Sequence, residues 1–235
     1  MQASLHTEYS YGRRAFNSNL ISQFPVLIES QNGGIPRLWK DRKWALSFAQ
    51  FLSCLVVGKC DPAVIEIHPP FSDYTNIENF VEAYSLFEQA ILSVFPKAEI
   101  LIENRCGSIY RGGKFILSKI GDIEKLCSFI DIRNLQLKIA YDIPQLYTAH
   151  NIQNPDMYIQ LIEMVKPLRE HIGGVHLWGK KKSPTGRKVA HCGNLDSYFE
   201  DNDAVKSAFL VAFADCFRNT YLRLQLISHL QESYT

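Results

Sequence analysis

Short apolar segments rich in β-branched residues alternate along this chain with longer segments of helical periodicity. In the middle of the chain these short segments start at an even spacing, at residues 63, 99, 137 and 173. That spacing fits a strand, a loop, a helix and a second loop, and its repetition predicts parallel strands. The pattern predicts seven strands, at residues 4–8, 25–29, 63–68, 99–103, 137–142, 173–178 and 221–227.

Helix starts are marked between these strands by residues that satisfy or lack the free amide groups of a first turn. Such starts are Asn76, Gly121-Asp122, Asn154-Pro155 and Asp203. After Asn76, for example, apolar residues fall on a single helical face. A further helical stretch contains Trp44, which we therefore expect in the core rather than in a pocket.

Regular alternation predicts an α/β fold with a parallel sheet, and closure into a (β/α) TIM-type barrel is the interpretation we favour. No glycine-rich turn follows the first strand, which disfavours a dinucleotide-binding sheet. Because seven strands are one too few for such a barrel, we expect it to be incomplete, with a covering segment or a homodimer at its edge. Residues 1–235 are expected to form one domain.

Composition and charge indicate the compartment and the partners to expect for this protein. The formal charge of +1 gives no strong overall field towards nucleic acid or membrane. The sequence shows neither an apolar run of about 20 residues nor a signal-peptide profile at its start. Its six cysteines form no C-x-x-C pair. We therefore expect a cytoplasmic protein with reduced cysteines and no membrane partner.

Polar residues recur at the ends of the predicted strands, on positions two apart that face the same side. They are His6, Glu8, Glu29, Glu66, His68, Glu103, Asp142, His176 and Gln225. The carboxyl ends of parallel strands meet at one mouth of a barrel, where such enzymes place their chemistry. Converging carboxylates and imidazoles there favour a divalent metal. Each residue taken alone also fits a solvated position on the rim, and Glu66 also fits a buried partner of His68.

Three short motifs resemble consecutive strands of the xylose isomerase-like barrels, which include sugar isomerases, epimerases and metal-dependent apurinic-site endonucleases. They are ILIEN at 100–104, LKIAYD at 137–142 and GVHL at 174–177. The resemblance implies that Glu103 and Asp142 bind metal and that His176 binds metal or substrate. The segment IEIHP at 65–69 is similar to an earlier strand ending in His68, and residues 191–196 are similar to a loop that carries His191.

The chain also departs from the family pattern. The last ligand strand of the family usually ends in Glu, whereas Gln225 stands here. The endonuclease branch has His three residues after the strand Asp and Asp two residues before the loop His. This chain has Gln145 and Val189 at those positions. A full cluster of three metals is therefore not expected.

A basic segment, GKKKSPTGRK at 179–188, directly follows the strand that carries His176. Its cations could hold a phosphate group or a nucleic-acid backbone. The alternative is a solvated lysine loop. The predicted substrate-binding residues are His68, Trp178, Lys180, Lys182 and Arg187.

The leading hypothesis is a divalent-metal-dependent enzyme that isomerises or epimerises a sugar or sugar phosphate. Glu103, Asp142 and His176 would hold Mn²⁺, Zn²⁺ or Mg²⁺, with Gln225 or His68 completing the shell. Glu103, Glu29 and His191 are the candidate catalytic groups, with a carboxylate moving the proton.

Two alternatives remain open. One is a phosphodiester hydrolase of the apurinic-site endonuclease type, which the basic segment favours. The other is a degenerate barrel that binds a partner and has no activity, which Gln225 and the missing strand favour.

Overall fold

A computed structural model describes the fold over most of the chain. The described residues are 3–7, 18–56, 58, 60–152, 154–182, 185–186, 188–190, 194–200, 202–218 and 223–226. The strands are β1 (Ala3–His6), β2 (Pro62–Ile67), β3 (Glu99–Glu103), β4 (Lys138–Asp142), β5 (Ile172–Leu177), β6 (Lys180–Lys182), β7 (Lys188–Ala190) and β8 (Arg223–Leu226).

Six of these strands form one parallel sheet in the order β1-β2-β3-β4-β5-β8. Each strand pairs with the next strand along the chain, except that the β6–β7 hairpin is left out. This is the strand order of a barrel wall, so the predicted parallel α/β fold is confirmed. Within the described residues β1 pairs only with β2 and β8 only with β5, so this part of the barrel is open, as the strand count predicted.

Helices connect the strands and cover the outer face of the sheet. They are α1 (Ser18–Ile21), α2 (Pro25–Glu29), α3 (Arg42–Val56), α4 (Ile77–Val94), α5 (Ile120–Arg133), α6 (Ile143–Ala149), α7 (Asp156–Val165), α8 (Leu195–Tyr198) and α9 (Asp203–Cys216), with a 3₁₀ helix at Lys166–His171. The predicted start of α4 is confirmed, because the Asn76 side chain accepts a hydrogen bond from the Asn79 amide at 2.9 Å. Helix α9 starts at Asp203 with Asn202 as its cap.

The segment Pro25–Glu29 was expected to be a strand and is helix α2 instead. A five-residue apolar run does not distinguish the two structures by periodicity. Pro25 at the first helical turn, where no amide donor is needed, is the signal that decides for a helix. The parallel sheet therefore has one strand fewer than expected.

The two faces of the sheet differ in what they bury. Towards the helices lie large apolar side chains such as Ile65, Ile102 and Tyr141, all fully buried. On the opposite face Val64, Leu101 and Ala140 form a small apolar cluster near the amino ends of the strands. Two residues further along the same strands this face becomes polar, which places charged side chains at the carboxyl ends.

An aromatic core between α3 and α4 supports the sheet from outside. Trp44 is buried there, as predicted, and its Nε1 donates to Ser30 Oγ at 3.0 Å. Trp39 packs edge-on against neighbouring rings such as Phe48, and its Nε1 donates to the carbonyl oxygen of His68 at 2.8 Å. This bond ties the end of β2 to the core.

None of the described helices combines the length and the apolar content needed to cross a bilayer. The cysteines within the described residues, at positions 54, 60, 106, 127 and 216, are all free thiols.

Candidate functional site

Five buried ionisable side chains meet on the inner face of the sheet, at the carboxyl ends of β2, β3, β4 and β5. We call them the strand-end cluster; its members are Glu66, His68, Glu103, Asp142 and His176. Each is at most 4% exposed. Carboxylates are rarely buried to this degree unless they are paired with cations or hydrogen-bond donors.

Glu66 lies at the centre of one half of the cluster. Its Oε2 lies 3.0 Å from His176 Nε2, and its Oε1 lies 2.8 Å from His6 Nε2. Glu66 is fully buried, whereas the His6 side chain at the end of β1 is 48% exposed. His6 therefore connects the buried carboxylate to solvent.

Glu103 lies at the centre of the other half. Its Oε2 is 3.0 Å from His68 Nε2 and also contacts the Arg105 guanidinium. Its Oε1 accepts a hydrogen bond from Gln145 Nε2 at 2.7 Å. Arg105 lies two residues after the end of β3, and Gln145 is the third residue of α6. Both converge on the Glu103 carboxylate.

Asp142 has a different environment, because N–H donors occupy both of its oxygens. Oδ1 caps helix α6 by accepting from the Gln145 amide at 2.8 Å. Oδ2 accepts from Trp178 Nε1 at 2.8 Å and from Gln145 Nε2 at 3.1 Å. The backbone of Asp142 is held in turn by the side chain of Asn104, which bonds both its amide and its carbonyl.

The charges in the cluster perturb one another strongly. Burial alone would raise the pKa of Glu103, but Arg105 and the imidazoles of His176 and His68 outweigh it and hold that pKa well below its usual range. Burial would lower the pKa of His176, but the adjacent carboxylates of Asp142, Glu103 and Glu66 outweigh it and raise that pKa to about 12. The carboxylates around His176 therefore favour its protonated form.

Asp142 shifts in the opposite direction from Glu103. Burial and the charge of neighbouring Glu103 raise its pKa, against the nearby His176 imidazole and the hydrogen bond from Trp178. Two carboxylates in one cluster are thus driven apart in acidity, a pattern found at many functional sites.

Two sets of side chains offer ligand atoms close enough to share one cation. One set is Glu66, Glu103 and His176, and the other is His6, His68 and Glu103. In each set the ligand atoms lie within 4.8 Å of one another. His176 Nδ1 is buried and has no hydrogen-bond partner among the described residues; it lies 3.5 Å from Glu103 Oε1 and 3.8 Å from Asp142 Oδ2. These donor sets fit a divalent cation, although Arg105 competes for Glu103.

The structure brings together several of the residues singled out in the sequence. His68, Glu103, Asp142 and His176 meet in the strand-end cluster, with Trp178 bonded to Asp142. Gln225 on β8 pairs in register with His176, so its backbone lies beside the cluster.

Other predicted residues lie apart from the cluster or outside the described chain. Glu29 is exposed on helix α2, because the segment that carries it is not a strand. Arg187 and His191 lie outside the described residues. Lys182 belongs to strand β6.

The basic segment expected to be a loop contains a hairpin, in which β6 pairs antiparallel with β7. The Lys180 Nζ at its start lies 4.9 Å from the ring centroid of Tyr198 and 5.9 Å from that of Trp178. The ammonium group is thereby held over two aromatic faces, one of which belongs to the Trp bonded to Asp142.

Sequence reasoning missed three contributors to the site. Arg105 and Gln145 were not recognised as partners of Glu103, and Glu66 was placed among the polar strand-end residues but not among the named metal ligands. A signal existed for Glu66, since it lies two residues before His68 and therefore faces the same side of the strand. A signal also existed for Gln145, since the third residue after a capping Asp lies next to the cap.

No family model matches this chain, and no curated protein matches it. Solved structures that do match include a probable 3-DHS dehydratase from Bacillus anthracis, at 14% identity and a TM-score of 0.40, covering 98% of this chain and 94% of that one. An AP endonuclease of family 2 from Brucella melitensis matches at 12% identity and a TM-score of 0.37, covering 87% and 88%.

A sugar phosphate isomerase/epimerase from Parabacteroides distasonis matches at 13% identity and a TM-score of 0.35, covering 91% of this chain and 71% of that one. These matches include both enzyme types to which the sequence motifs are similar. The function is therefore argued from the geometry of the strand-end cluster.

Proposed function

We propose that this protein is a divalent-metal-dependent enzyme that isomerises or epimerises a sugar or sugar phosphate. The observation that supports this is the set of Glu66, Glu103 and His176, whose ligand atoms lie within 4.8 Å of one another at the ends of three parallel strands. A buried set of this composition at the mouth of a parallel barrel is where metal-assisted chemistry is expected.

Glu66, Glu103 and His176 would hold the cation, with His68 or His6 as further ligands. Carboxylate oxygens together with imidazole nitrogens suit Zn²⁺ or Mn²⁺ better than Mg²⁺, which prefers oxygen ligands alone. A bound divalent cation would polarise the carbonyl and hydroxyl groups of a sugar. Asp142, which the sequence hypothesis placed among the ligands, would instead position Gln145 and Trp178.

His6 is the residue best placed to exchange a proton with a substrate. Burial would lower its pKa, but the hydrogen bond and charge of Glu66 raise it above the usual histidine value. Its side chain is half exposed while its Nε2 lies 2.8 Å from the buried Glu66. An imidazole between solvent and a buried carboxylate can take up and return a proton during the reaction. Lys180 on the hairpin rim, beside Trp178 and Tyr198, would contact the bound sugar.

Metal retention is the first test. The protein is dialysed against Mn²⁺ or Zn²⁺ and then against buffer, and bound metal is measured by mass spectrometry. We expect about one equivalent in the wild type and a loss of at least about tenfold in affinity for Glu66→Gln. Glu88→Gln is the matched control: Glu88 is also buried, but it accepts from Tyr84 and Gln136 far along helix α4. Equal metal contents in both variants would overturn the assignment.

Activity is then tested without assuming one substrate. Aldoses, ketoses and their phosphates are incubated with metal-loaded protein in D₂O, and solvent deuterium entering at carbon is followed by NMR. Isomerisation and epimerisation by proton transfer both introduce deuterium. Incorporation that requires His6 would support the role proposed for this residue.

A phosphodiester hydrolase is the second candidate, favoured by the lysine-bearing hairpin β6–β7 that follows the His176 strand. It predicts salt-sensitive binding and metal-dependent cleavage of an abasic duplex. If neither metal nor substrate binds, Arg105, Gln145 and Trp178 supply enough hydrogen bonds and charge to stabilise buried Glu103 and Asp142 without a cation. The chain would then be a binding module.

A further inference from the structure

A second cavity, of about 670 Å³, opens on the same end of the sheet but away from the strand-end cluster. It lies between the segments that follow β2 and β3, beside the first turns of α4 and α5. Three lysines line it: Lys114, Lys119 and Lys125. This size is in the range of cavities that bind small molecules.

The lysines give this cavity a positive charge that nearby carboxylates do not neutralise. Among the described residues, no carboxylate oxygen lies within 4.0 Å of any of the three ammonium groups. Two other lysines do form ion pairs: Lys166 contacts Asp215, and Lys206 contacts two aspartates. A single carboxylate, Asp122, lines the described part of this cavity, and its Oδ2 accepts from the amides of Ser118 and Lys119 at 3.0 and 2.8 Å.

The wall of the cavity is fixed before any ligand arrives. The Ser72 amide donates to the Lys114 carbonyl at 2.7 Å, and the Lys114 amide donates to Asp73 Oδ2 at 3.1 Å. The rings of Phe71 and Phe115 stack with centroids 4.2 Å apart. Two segments from different strands are thus held together, which reduces the entropy lost on binding.

One wall of the cavity leads to the strand-end cluster. Phe115 lines the cavity, and the Arg105 guanidinium lies 5.4 Å from its ring centroid. The same guanidinium contacts Glu103. The Arg105 amide also donates to the Leu117 carbonyl at 2.8 Å. A ligand in the cavity would therefore be separated by the Phe115 ring from the residue that neutralises Glu103.

We propose that this lysine cavity binds the phosphate group of a phosphorylated small molecule. Three ammonium groups match the double negative charge of a phosphate monoester, which lysine binds as a point charge. A free volume larger than a phosphate leaves room for the carbon chain. That the rest of the ligand is a substrate of the strand-end cluster rests on the proposed function, whereas phosphate binding in the cavity does not.

The test is calorimetric titration with ribose 5-phosphate, with inorganic phosphate and ribose as comparison probes. We expect the Kd for ribose 5-phosphate to rise at least about tenfold in Lys119→Gln/Lys125→Gln, since a hydrogen bond to a charged group contributes about that factor. The matched control Lys43→Gln/Lys97→Gln removes the same charge at two exposed lysines that do not line the cavity, and its Kd should stay within about twofold of the wild type.

Equal binding by all three proteins, or binding of ribose as tight as of ribose 5-phosphate, would overturn the proposal, and so would no binding of either phosphate compound. A duplex DNA that binds through the same lysines and is not displaced by ribose 5-phosphate would overturn the assignment to a small molecule.

Titrating Glu66→Gln in metal-free buffer separates this inference from the proposed function. Phosphate binding that persists there supports the cavity even if no metal enzyme is found. Phosphate binding lost in Glu66→Gln but kept in the cavity double variant would show that the anion binds at the strand-end cluster, and would end the inference.

Discussion

The strand-end cluster and the ion pairs along helix α9 both bring carboxylates next to basic side chains, yet they have different consequences for the stability of the protein. In the cluster Glu66 and Glu103 are fully or almost fully buried. Beside α9, Lys206 contacts Asp196 and Asp203, which are about half and mostly exposed. Removing one partner leaves an unpaired buried charge in the first region. In the second region it leaves a charge that water can solvate. Burial, rather than the number of ion pairs, therefore distinguishes the candidate functional site from ordinary surface ion pairs.

The largest effect is expected for Glu103→Leu. This change leaves the Arg105 guanidinium and the His176 imidazolium without their shared carboxylate. We expect the free energy of unfolding to fall by about 3–5 kcal/mol, measured by urea denaturation. Glu99→Leu, at the exposed start of the same strand, is the control and should change little. If burial is the cause, Glu103→Leu/Arg105→Leu should recover part of the loss, and no recovery would contradict this explanation.

The next effect distinguishes two possible ligand sets within the cluster. At a metal concentration of about 100 times Kd, binding should stabilise the wild type by about 2.7 kcal/mol, seen as a rise in Tm. Glu66→Gln should remove most of this rise. Asp142→Asn should keep most of it, because the Asp142 oxygens accept from Gln145 and Trp178. The opposite result would place the metal where the sequence resemblance implied, on Asp142.

A smaller effect concerns His150, which lies outside both regions and accepts a hydrogen bond from the Ile120 amide at 3.1 Å. Burial and neighbouring Lys119 lower the pKa of His150 below 6.5. A depressed histidine pKa stabilises the fold above the unfolded value, and this contribution is lost as the pH falls through the folded value. The Tm should therefore decline from pH 7.5 to 5.5, and His150→Asn should flatten part of that decline. An unchanged slope would exclude His150 as its source.

The smallest effect is expected in the surface region. Lys206→Gln should leave the urea midpoint almost unchanged, and any difference should disappear in high salt, because exposed ion pairs are screened. A loss as large as that of Glu103→Leu would break the comparison between the two regions.

The sequence pattern correctly predicted the strands and helices in the middle of the chain and most members of the strand-end cluster. From Pro62 to Leu177 each strand is buried on both faces and separated by a capped helix, so pattern and structure agree. The short run Pro25–Glu29 carried too little periodicity to separate helix from strand. The sequence places Gln145 next to its capping Asp142, but its bond to Glu103, 42 residues away, required the structure. A sequence pattern predicts which face of a strand a side chain occupies, but it does not predict which individual side chains on different segments form hydrogen bonds.

The junction between β4 and α6 has no connecting residue: Asp142 ends the strand, and Ile143 begins the helix. A protein engineer therefore has no position there at which to add or remove residues without turning Asp142 away from Trp178. The connection after β5 is different, since the β6–β7 hairpin separates Leu177 from helix α8. Grafts and length changes belong in that hairpin, where a new rim can be built while the buried carboxylates stay in register.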